Sequence, residues 1–219
     1  MKQSKERFGK FRGLTERRVC KVCFKDIRPA RLLELLNPDV PLCSSCFSSF
    51  GQSLKRISFE GRPLYYLSPY RAPLSTLLIQ YKQVLDIELA PVFLSYYAPF
   101  LRILFSGYYL VLVPSSPSHL KKRGFDHLAL IFNSLHLPRL DVLEKGEGKE
   151  QKHLGAEERK KAATLFTLKN GESVRGKKIL LCDDVLTSGT SLRACLTLLE
   201  RCSPKKVALF VLMDDQVRE

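Results

Sequence analysis

Two adjacent carboxylates, Asp183 and Asp184, follow an apolar run at 179–182 and precede a loop of small hydroxyl-bearing residues and glycine at 187–191. From Leu192 onward, apolar residues recur at helical spacing. This order predicts a buried strand, an acidic segment, an anion-binding loop and a helix. Glycine lets the backbone approach an anion, and the first N–H groups of a helix have no partner within it. Paired carboxylates beside such a loop suit sugar hydroxyls or a magnesium ion bound to phosphate oxygens.

A plainer interpretation of this segment is a strand followed by a capped helix, since Thr, Ser and Asp are common cap and turn residues. That interpretation accounts for one or two of the residues but not for their whole order. The segment is not a Walker A loop, because no Gly-x-x-x-x-Gly-Lys-Ser/Thr pattern occurs in the chain. The residues expected to hold the phosphate are Thr187, Ser188, Gly189, Thr190 and Ser191.

A second candidate anion site follows the apolar run at 109–114, which is predicted to be a buried strand. Beyond it lies a Ser- and Pro-rich loop, and then Lys121, Lys122 and Arg123 at the expected start of a helix. Basic residues beside a helix N-terminus could face a pyrophosphate. The alternative is a solvated basic turn, because runs of this kind are common at protein surfaces.

Four of the seven cysteines form two Cys-x-x-Cys pairs, Cys20 with Cys23 and Cys43 with Cys46. This spacing suits a tetrahedral zinc site, since each turn brings two thiolates to one side of the metal. Disulfides are the competing interpretation, and they fit poorly with a cytoplasmic chain. Four thiolates leave no open position for a substrate, so we expect a structural zinc ion.

Apolar strands alternating with helices predict an α/β fold, a parallel sheet with helices on both faces. The carboxylates then lie at the carboxyl end of a strand, where open sheets of this class bind ligands. The segment 144–163 has many charges and little apolar periodicity, which predicts a long loop that could close over a site and exclude water. The expected elements are a hairpin at 57–67, helices at 73–82, 86–105, 128–137 and 192–202, and strands at 109–114, 165–168, 178–182 and 206–213.

The net charge of +14 is unevenly distributed. Residues 1–31 hold eleven Lys or Arg residues against three acidic ones, a net charge of +8. Basic residues interleaved with Phe8, Phe11 and Phe24 suit nucleic-acid phosphates and unpaired bases. For residues 1–15 taken alone, a solubilising tail is an equal alternative.

The segment from Asp183 to Ser191 resembles the phosphoribosyl pyrophosphate (PRPP) loop of the type I phosphoribosyltransferases. In that family two acidic residues hold the ribose 2′- and 3′-hydroxyls, and the loop after them binds the 5′-phosphate. The resemblance implies the first role for Asp183 and Asp184 and the second for Thr187 to Ser191. It also implies that PRPP binds together with Mg²⁺.

The order of the paired cysteines, the strand followed by Arg123-Gly124-Phe125, and the PRPP-type loop resembles the ComF family over residues ~18 to 213. Tyr70, Tyr81 and Lys82 match a weaker part of the family pattern. This family joins a zinc-ribbon-like segment to a type I phosphoribosyltransferase-like domain and is associated with DNA uptake in natural competence. The expected organisation is a basic tail at 1–17, a zinc-binding module at 18–56 and a phosphoribosyltransferase-like domain at 57–219.

The chain departs from the family pattern in two places. Asp126 and His127 stand where the family usually has Asn-Gln. In the long loop the usual Arg-x-Thr-x-x-Gln is Gly-Glu-Gly-Lys-Glu-Gln at 146–151, and an expected Asn is Ala162. The ribose and 5′-phosphate residues are thus retained, while the loops expected to meet pyrophosphate and acceptor have changed.

Three functions remain open from the sequence, and the plainest of them is a zinc-braced scaffold that docks other uptake proteins. The favoured one is a DNA-uptake protein that binds PRPP or a ribose phosphate and single-stranded DNA, with other uptake proteins as partners. The alternative is an active phosphoribosyltransferase with an unknown acceptor. Lys82, Lys121, Lys122 and Arg123 are candidates for contacts to pyrophosphate or DNA. No apolar run reaches the ~20 residues of a membrane span, and the first residues lack the apolar core of a signal peptide, so a cytoplasmic location is expected.

Overall fold

The computed structural model describes residues 18–27, 40–147 and 165–217. A five-stranded sheet forms the centre, in the order β1-β2-β7-β6-β3. The four strands β2, β7, β6 and β3 are parallel, and β1 is antiparallel to β2 at one edge. The strands are β1 Lys55–Phe59, β2 Arg62–Pro69, β3 Tyr108–Leu112, β6 Lys178–Leu186 and β7 Lys206–Asp214.

Helices lie on both faces of this sheet. Helices α5 and α6 both contact β6. Consecutive residues of β6, from Ile179 to Cys182, are fully buried although their side chains point alternately to the two faces. The α-helices are α1 Ser44–Ser49, α2 Leu74–Ile79, α3 Ala98–Leu104, α4 Pro117–Arg123, α5 His127–Phe132 and α6 Thr190–Glu200. The expected α/β fold with a parallel sheet covered on both faces is confirmed.

Several expectations about individual elements need correction. The helix expected at 86–105 is interrupted: a 3₁₀ segment, Ile87–Val92, is followed by turns and then by α3. Proline explains both interruptions, because Pro91 lacks the N–H that an α-helix interior needs, and Pro99 suits only the first turn of α3. The helix expected at 73–82 is α2 continued by a π-helical turn at Gln80–Val84.

Two strand assignments also change. Strand β5, Phe166–Leu168, lies outside the central sheet and pairs with β4, Leu143–Lys145, in a separate antiparallel hairpin. Strand β7 lies in the interior of the sheet, between β2 and β6. The predicted hairpin β1-β2 forms one edge and is therefore part of the main sheet. Strand β6 is longer than expected and includes both carboxylates, Asp183 and Asp184.

The cysteine-bearing segment packs against the turns that follow the 3₁₀ segment. Phe47 of α1 stacks on Tyr96 with ring centroids 3.5 Å apart. The Tyr97 hydroxyl donates to the Gln52 carbonyl at 2.8 Å, and Lys21 forms an ion pair with Glu88. These contacts attach the segment to the rest of the chain. The predicted division at 56/57 stays a prediction; β1 already begins at Lys55.

Candidate functional site

The four paired cysteines converge on one point. Their sulfur atoms all lie within 4.8 Å of one another, and the Sγ atoms of Cys23 and Cys43 are 3.6 Å apart. Zinc–sulfur bonds of about 2.3 Å in a tetrahedron require sulfurs about 3.8 Å apart. A disulfide needs about 2.05 Å, and all seven cysteines, each within the described ranges, are free thiols. The geometry therefore fits a closed zinc site and does not fit the disulfide alternative.

Local structure brings each pair of thiols to one side. Between Cys20 and Cys23 the chain forms a tight turn in which the Phe24 N–H donates to the Cys20 carbonyl at 2.9 Å. The second pair lies at the beginning of α1, where Cys43 is the N-cap residue and Cys46 is in the first turn. The two turns are joined by the Lys21 N–H, which donates to the Pro41 carbonyl at 2.9 Å.

A second site lies where β2, β3 and β6 end at the same edge of the sheet. The cavity there has a volume of about 480 Å³. Both candidate carboxylates line it, together with candidate phosphate-loop residues and basic side chains from three separate elements. The polar lining residues are Tyr70, Lys82, Ser115, His119, Arg123, His127, Lys145, Asp183, Asp184, Thr187 and Ser191.

Of the two carboxylates, Asp184 forms the stronger interactions with its neighbours. Only 7% of the residue is exposed, and its Oδ2 forms an ion pair with Lys82 and accepts from Nε2 of His127 at 2.9 Å. Burial acts to raise the pKa of Asp184, but the His127 hydrogen bond and the Lys82 charge outweigh it and hold the pKa below its ordinary value. Asp184 is therefore ionised throughout the physiological range.

Asp183 has a different environment. Its side chain is half-buried, and its Oδ1 accepts from the Asp184 N–H at 2.9 Å. Desolvation and the adjacent Asp184 charge raise the pKa of Asp183 to about 8. The two neighbours in sequence thus differ in protonation, because two carboxylates this close do not both ionise easily. A ligand that donates hydrogen bonds or brings a cation would favour the ionised form of Asp183.

The loop after the carboxylates has the conformation of an anion-binding turn. Gly189 is the N-cap of α6 at φ 70°, and a Cβ there would lie 2.7 Å from Cε2 of Phe59. Glycine is needed for both its conformation and its lack of a side chain. Ser188 and Thr190 share a hydrogen bond of 2.9 Å between their hydroxyls, while Thr187 and Ser191 line the cavity.

The basic run at 121–123 lies at the end of α4, not at a helix start as expected. Helix α4 begins at Pro117 with a Ser116 cap and ends at Arg123, and its C-cap Gly124 takes φ 78°. Cations suit this end because the helix dipole is negative there. The N-terminus argument for an anion site is therefore wrong here.

The basic side chains do nevertheless border cavities. Arg123 lines the carboxylate cavity, and Lys122 lines a neighbouring cleft of about 520 Å³ together with Lys82 and His119. Lys121 is exposed and borders neither of these two spaces.

Sequence reasoning missed four polar contributors to the cavity: Lys145, His119, His127 and Ser115. Lys145 lies on β4, and the hairpin that contains β4 was not predicted. Because Lys145 and Asp183 are far apart in sequence, no local pattern indicated that both border one cavity. For His127 a signal existed, since it stands at a departure from the family pattern. Of the changed loop positions, Gly148 and Ala162 lie outside the described residues, whereas Gly146 lies within them.

Comparisons with known proteins agree with this geometry. The phosphoribosyl transferase domain profile matches residues 121–219. Competence protein ComFC of Streptococcus pneumoniae is 29% identical over 203 residues, which cover 83% of this chain and 91% of that protein. The chain is thus similar to a competence protein over most of its length and carries a phosphoribosyl transferase domain. The matched domain carries both carboxylates and the hydroxyl loop, whereas Lys82 precedes it. The cysteine cluster is consistent with a zinc-ribbon-like module.

Two further proteins match smaller parts of this chain. Orotate phosphoribosyltransferase of Dichelobacter nodosus is 50% identical over 46 residues, which cover 21% of each chain. The solved hypoxanthine phosphoribosyltransferase of Staphylococcus aureus aligns with a TM-score of 0.39 and 12% identity, covering 59% of this chain and 65% of that one. No helix within the described ranges combines the length and the apolar character needed to cross a membrane.

Proposed function

We propose that this protein is a member of the ComF family, that it binds PRPP, as its magnesium complex, or a related ribose 5-phosphate at the Asp183–Asp184 cavity, and that it acts in DNA uptake during natural competence. One observation supports the binding proposal above all. Paired carboxylates, a glycine-containing hydroxyl loop and three basic side chains from separate elements border one cavity of about 480 Å³. That volume is in the range of small-molecule sites.

Each part of the cavity suits one part of the ligand. Ribose hydroxyls are donors, and Asp183 and Asp184 supply acceptors. The 5′-phosphate suits Thr187 to Ser191, where α6 begins with N–H groups that have no partner inside the helix. The pyrophosphate suits Lys82, Arg123 and Lys145. Magnesium prefers oxygen ligands and phosphate partners, so Asp183 and Asp184 would be the residues that hold it, and it would neutralise part of the pyrophosphate charge.

A calorimetric titration with magnesium–PRPP tests the binding. Wild type is compared with the double variant Asp183→Asn/Asp184→Asn, which keeps the shape of both side chains and removes their charge. We expect saturable binding by wild type and none by the variant. Equal binding by both proteins would contradict the assigned site. Repeating the titration at several pH values should show affinity rising up to about pH 8, because ionised Asp183 is the better acceptor.

The alternative function is transfer of ribose 5-phosphate to an acceptor, with pyrophosphate displaced at C1′. The site favours this chemistry through charge stabilisation: Lys82, Arg123 and Lys145 would stabilise the departing pyrophosphate. Pyrophosphate release in the presence of candidate bases, with the double variant as control, tests it. Tight PRPP binding without release across a broad set of acceptors would favour a binding role.

The proposed DNA partner is single-stranded and binds through residues 1–31, whose net charge is +8. A full-length variant with Lys2, Lys5, Arg7, Lys10 and Arg12 changed to Gln should bind DNA more weakly. Its dependence on salt should also be shallower, since fewer counterions are released. Unchanged affinity and salt slope would exclude this segment as the binding surface. Partner uptake proteins and a cytoplasmic location belong to the same proposal.

We also propose that the four cysteines hold a structural zinc ion. The support is their closed four-thiol geometry. Metal analysis of the purified protein should give one zinc per chain.

A further inference from the structure

His127 lies at a point where three elements meet. It is the first residue of α5, follows the N-cap Asp126 and has only 6% of its surface exposed. Its carbonyl accepts from the buried Tyr81 hydroxyl at 2.9 Å, and the Tyr81 ring packs on Phe125. The hydrogen bond from Tyr81, which lies in the π-helical turn after α2, therefore fixes the backbone of His127.

The imidazole ring connects two charged groups of opposite sign. Nη1 of Arg123 lies 2.7 Å from Nδ1 of His127, and Oδ2 of Asp184 lies 2.9 Å from Nε2. A guanidinium can only donate, so Nδ1 must be the acceptor, and Nε2 must carry the hydrogen that is donated to Asp184. The partners thus select one neutral tautomer of His127.

This arrangement fixes two groups that both line the carboxylate cavity. Asp184 receives His127 on the same oxygen that pairs with Lys82, which restricts the carboxylate to one orientation. Arg123 uses one of its five N–H donors on the ring, so the guanidinium cannot rotate freely while it borders the cavity. A shift of either group would be transmitted through the ring to the other.

We infer that His127 is a positioning residue that holds Arg123 and Asp184 in a fixed relation, so that the cation for the pyrophosphate and the carboxylate for the ribose are preorganised together. The inference rests on the proposed binding of PRPP and adds the residue that couples the two halves of that site. It assigns His127 no contact with the ligand.

Two substitutions distinguish the hydrogen bonds of the His127 side chain from its packing volume. In His127→Gln the amide oxygen can accept from Arg123 and the amide nitrogen can donate to Asp184, so both bonds can be rebuilt. In His127→Leu neither bond can form. We expect His127→Gln to bind magnesium–PRPP within about threefold of wild type. For His127→Leu we expect binding roughly 10- to 100-fold weaker, the range for lost hydrogen bonds to charged groups.

A direct measurement on the ligand-free protein tests the tautomer. In ¹⁵N NMR spectra of the histidine rings, Nε2 of His127 should be protonated and Nδ1 unprotonated. The exposed His136 provides the comparison, and His136→Asn assigns its signals without touching the site. In Arg123→Met the preference for this tautomer should weaken, because the donor to Nδ1 is gone.

The outcomes distinguish the inference from the proposed function. If wild type binds PRPP and both His127 variants bind equally well, the positioning role is excluded and the proposed function stands. If His127→Gln is as weak as His127→Leu, the donor–acceptor connection is not what matters, and the inference is overturned. If wild type binds no PRPP, the proposed function fails, while a protonated Nδ1 would overturn the positioning role independently. The NMR measurement also decides the matter should His127→Leu fail to fold.

Discussion

The cysteine cluster and the carboxylate cavity are built in opposite ways. The cluster draws its four ligands from two short turns, each encoded by a local Cys-x-x-Cys motif, and the four sulfurs enclose a single point. The cavity draws its polar groups from several elements, with Lys82 and Asp184 more than one hundred residues apart. The first arrangement leaves no open coordination position, whereas the second leaves a space of about 480 Å³.

This difference separates a part that stabilises the fold from a part that can bind a ligand. A closed thiolate site contributes to folding, because metal binding and folding are coupled in small modules. An open cavity lined by charges gains no such folding free energy in the absence of a ligand. Its carboxylates must be stabilised by neighbours, as Lys82 and His127 do for Asp184.

The two regions are also connected by packing. Phe47, next to Cys46, stacks on Tyr96. Tyr96 lies in the turn that follows the 3₁₀ segment Ile87–Val92, and this turn begins at Phe93. Phe93 packs on Tyr81 with ring centroids 5.6 Å apart. Tyr81 directly precedes Lys82, so two aromatic pairs, connected through the backbone turn at 93–97, lie between the cluster and the cavity.

The largest effect is expected from opening the closed site. Cys20→Ser should abolish zinc binding and unfold the cysteine segment, because structural zinc contributes about 10–16 kcal/mol of apparent binding free energy in small modules. Cys202→Ser is the matched control, since Cys202 lies outside the cluster and donates to the Leu198 carbonyl, as serine also can. Metal content and thermal unfolding measure both. Full zinc occupancy in Cys20→Ser would contradict the assigned ligand.

The next effect separates the two carboxylates. Asp184→Asn should destabilise the fold by about 3 kcal/mol, because Lys82 loses its partner in a partly buried place. Asp183→Asn should be at least as stable as wild type at pH 7, because the amide replaces a carboxyl whose pKa is raised by its surroundings. Denaturant unfolding measures both. Equal destabilisation by the two substitutions would show that the carboxylates are equivalent.

A pH series tests the same difference. Asp183 has a pKa of about 8 in the folded chain against an ordinary value of 3.8, so the folded state binds an extra proton between these values. Stability from this group is therefore present below about pH 4 and is lost as the pH rises toward 8. The melting temperature of Asp183→Asn should rise relative to that of wild type from pH 5 to pH 8. Parallel curves would mean that the folded pKa of Asp183 is ordinary.

The smallest effect compares two glycines with the same backbone conformation. Gly189→Ala should destabilise by about 2 kcal/mol, since it combines a φ of 70° with a contact of 2.7 Å to Phe59. Gly124→Ala has a φ of 78° but nothing within 4 Å of the added Cβ, so about 1 kcal/mol is expected. Thermal unfolding of both variants gives the difference. If Gly124→Ala lowers the melting temperature more than Gly189→Ala does, the close contact with Phe59 does not determine the stability effect at Gly189.

Some of the fold was predictable because its signals are local. The hairpin at 57–67, the buried strands near 109–114, 178–182 and 206–213, and the helix after the carboxylates each follow from residues within a few positions of one another. The errors in strand placement arose where the pairing of strands depends on tertiary contacts and not on the local sequence pattern. Nothing in residues 166–168 shows that β5 leaves the central sheet to pair with β4, and nothing in 206–213 places β7 between β2 and β6.

The sequence by itself determined the chemical types present: two pairs of thiols at metal-binding spacing, two adjacent carboxylates, and a glycine-containing hydroxyl loop before a helix. Spacing suffices for these because turns and strand ends are set by short-range backbone geometry. Only the tertiary structure decided that Lys82, His127 and Arg123 surround Asp184. It also made two neighbouring carboxylates unequal, because a charge in a desolvated place depends on which partners the fold brings within a few ångströms.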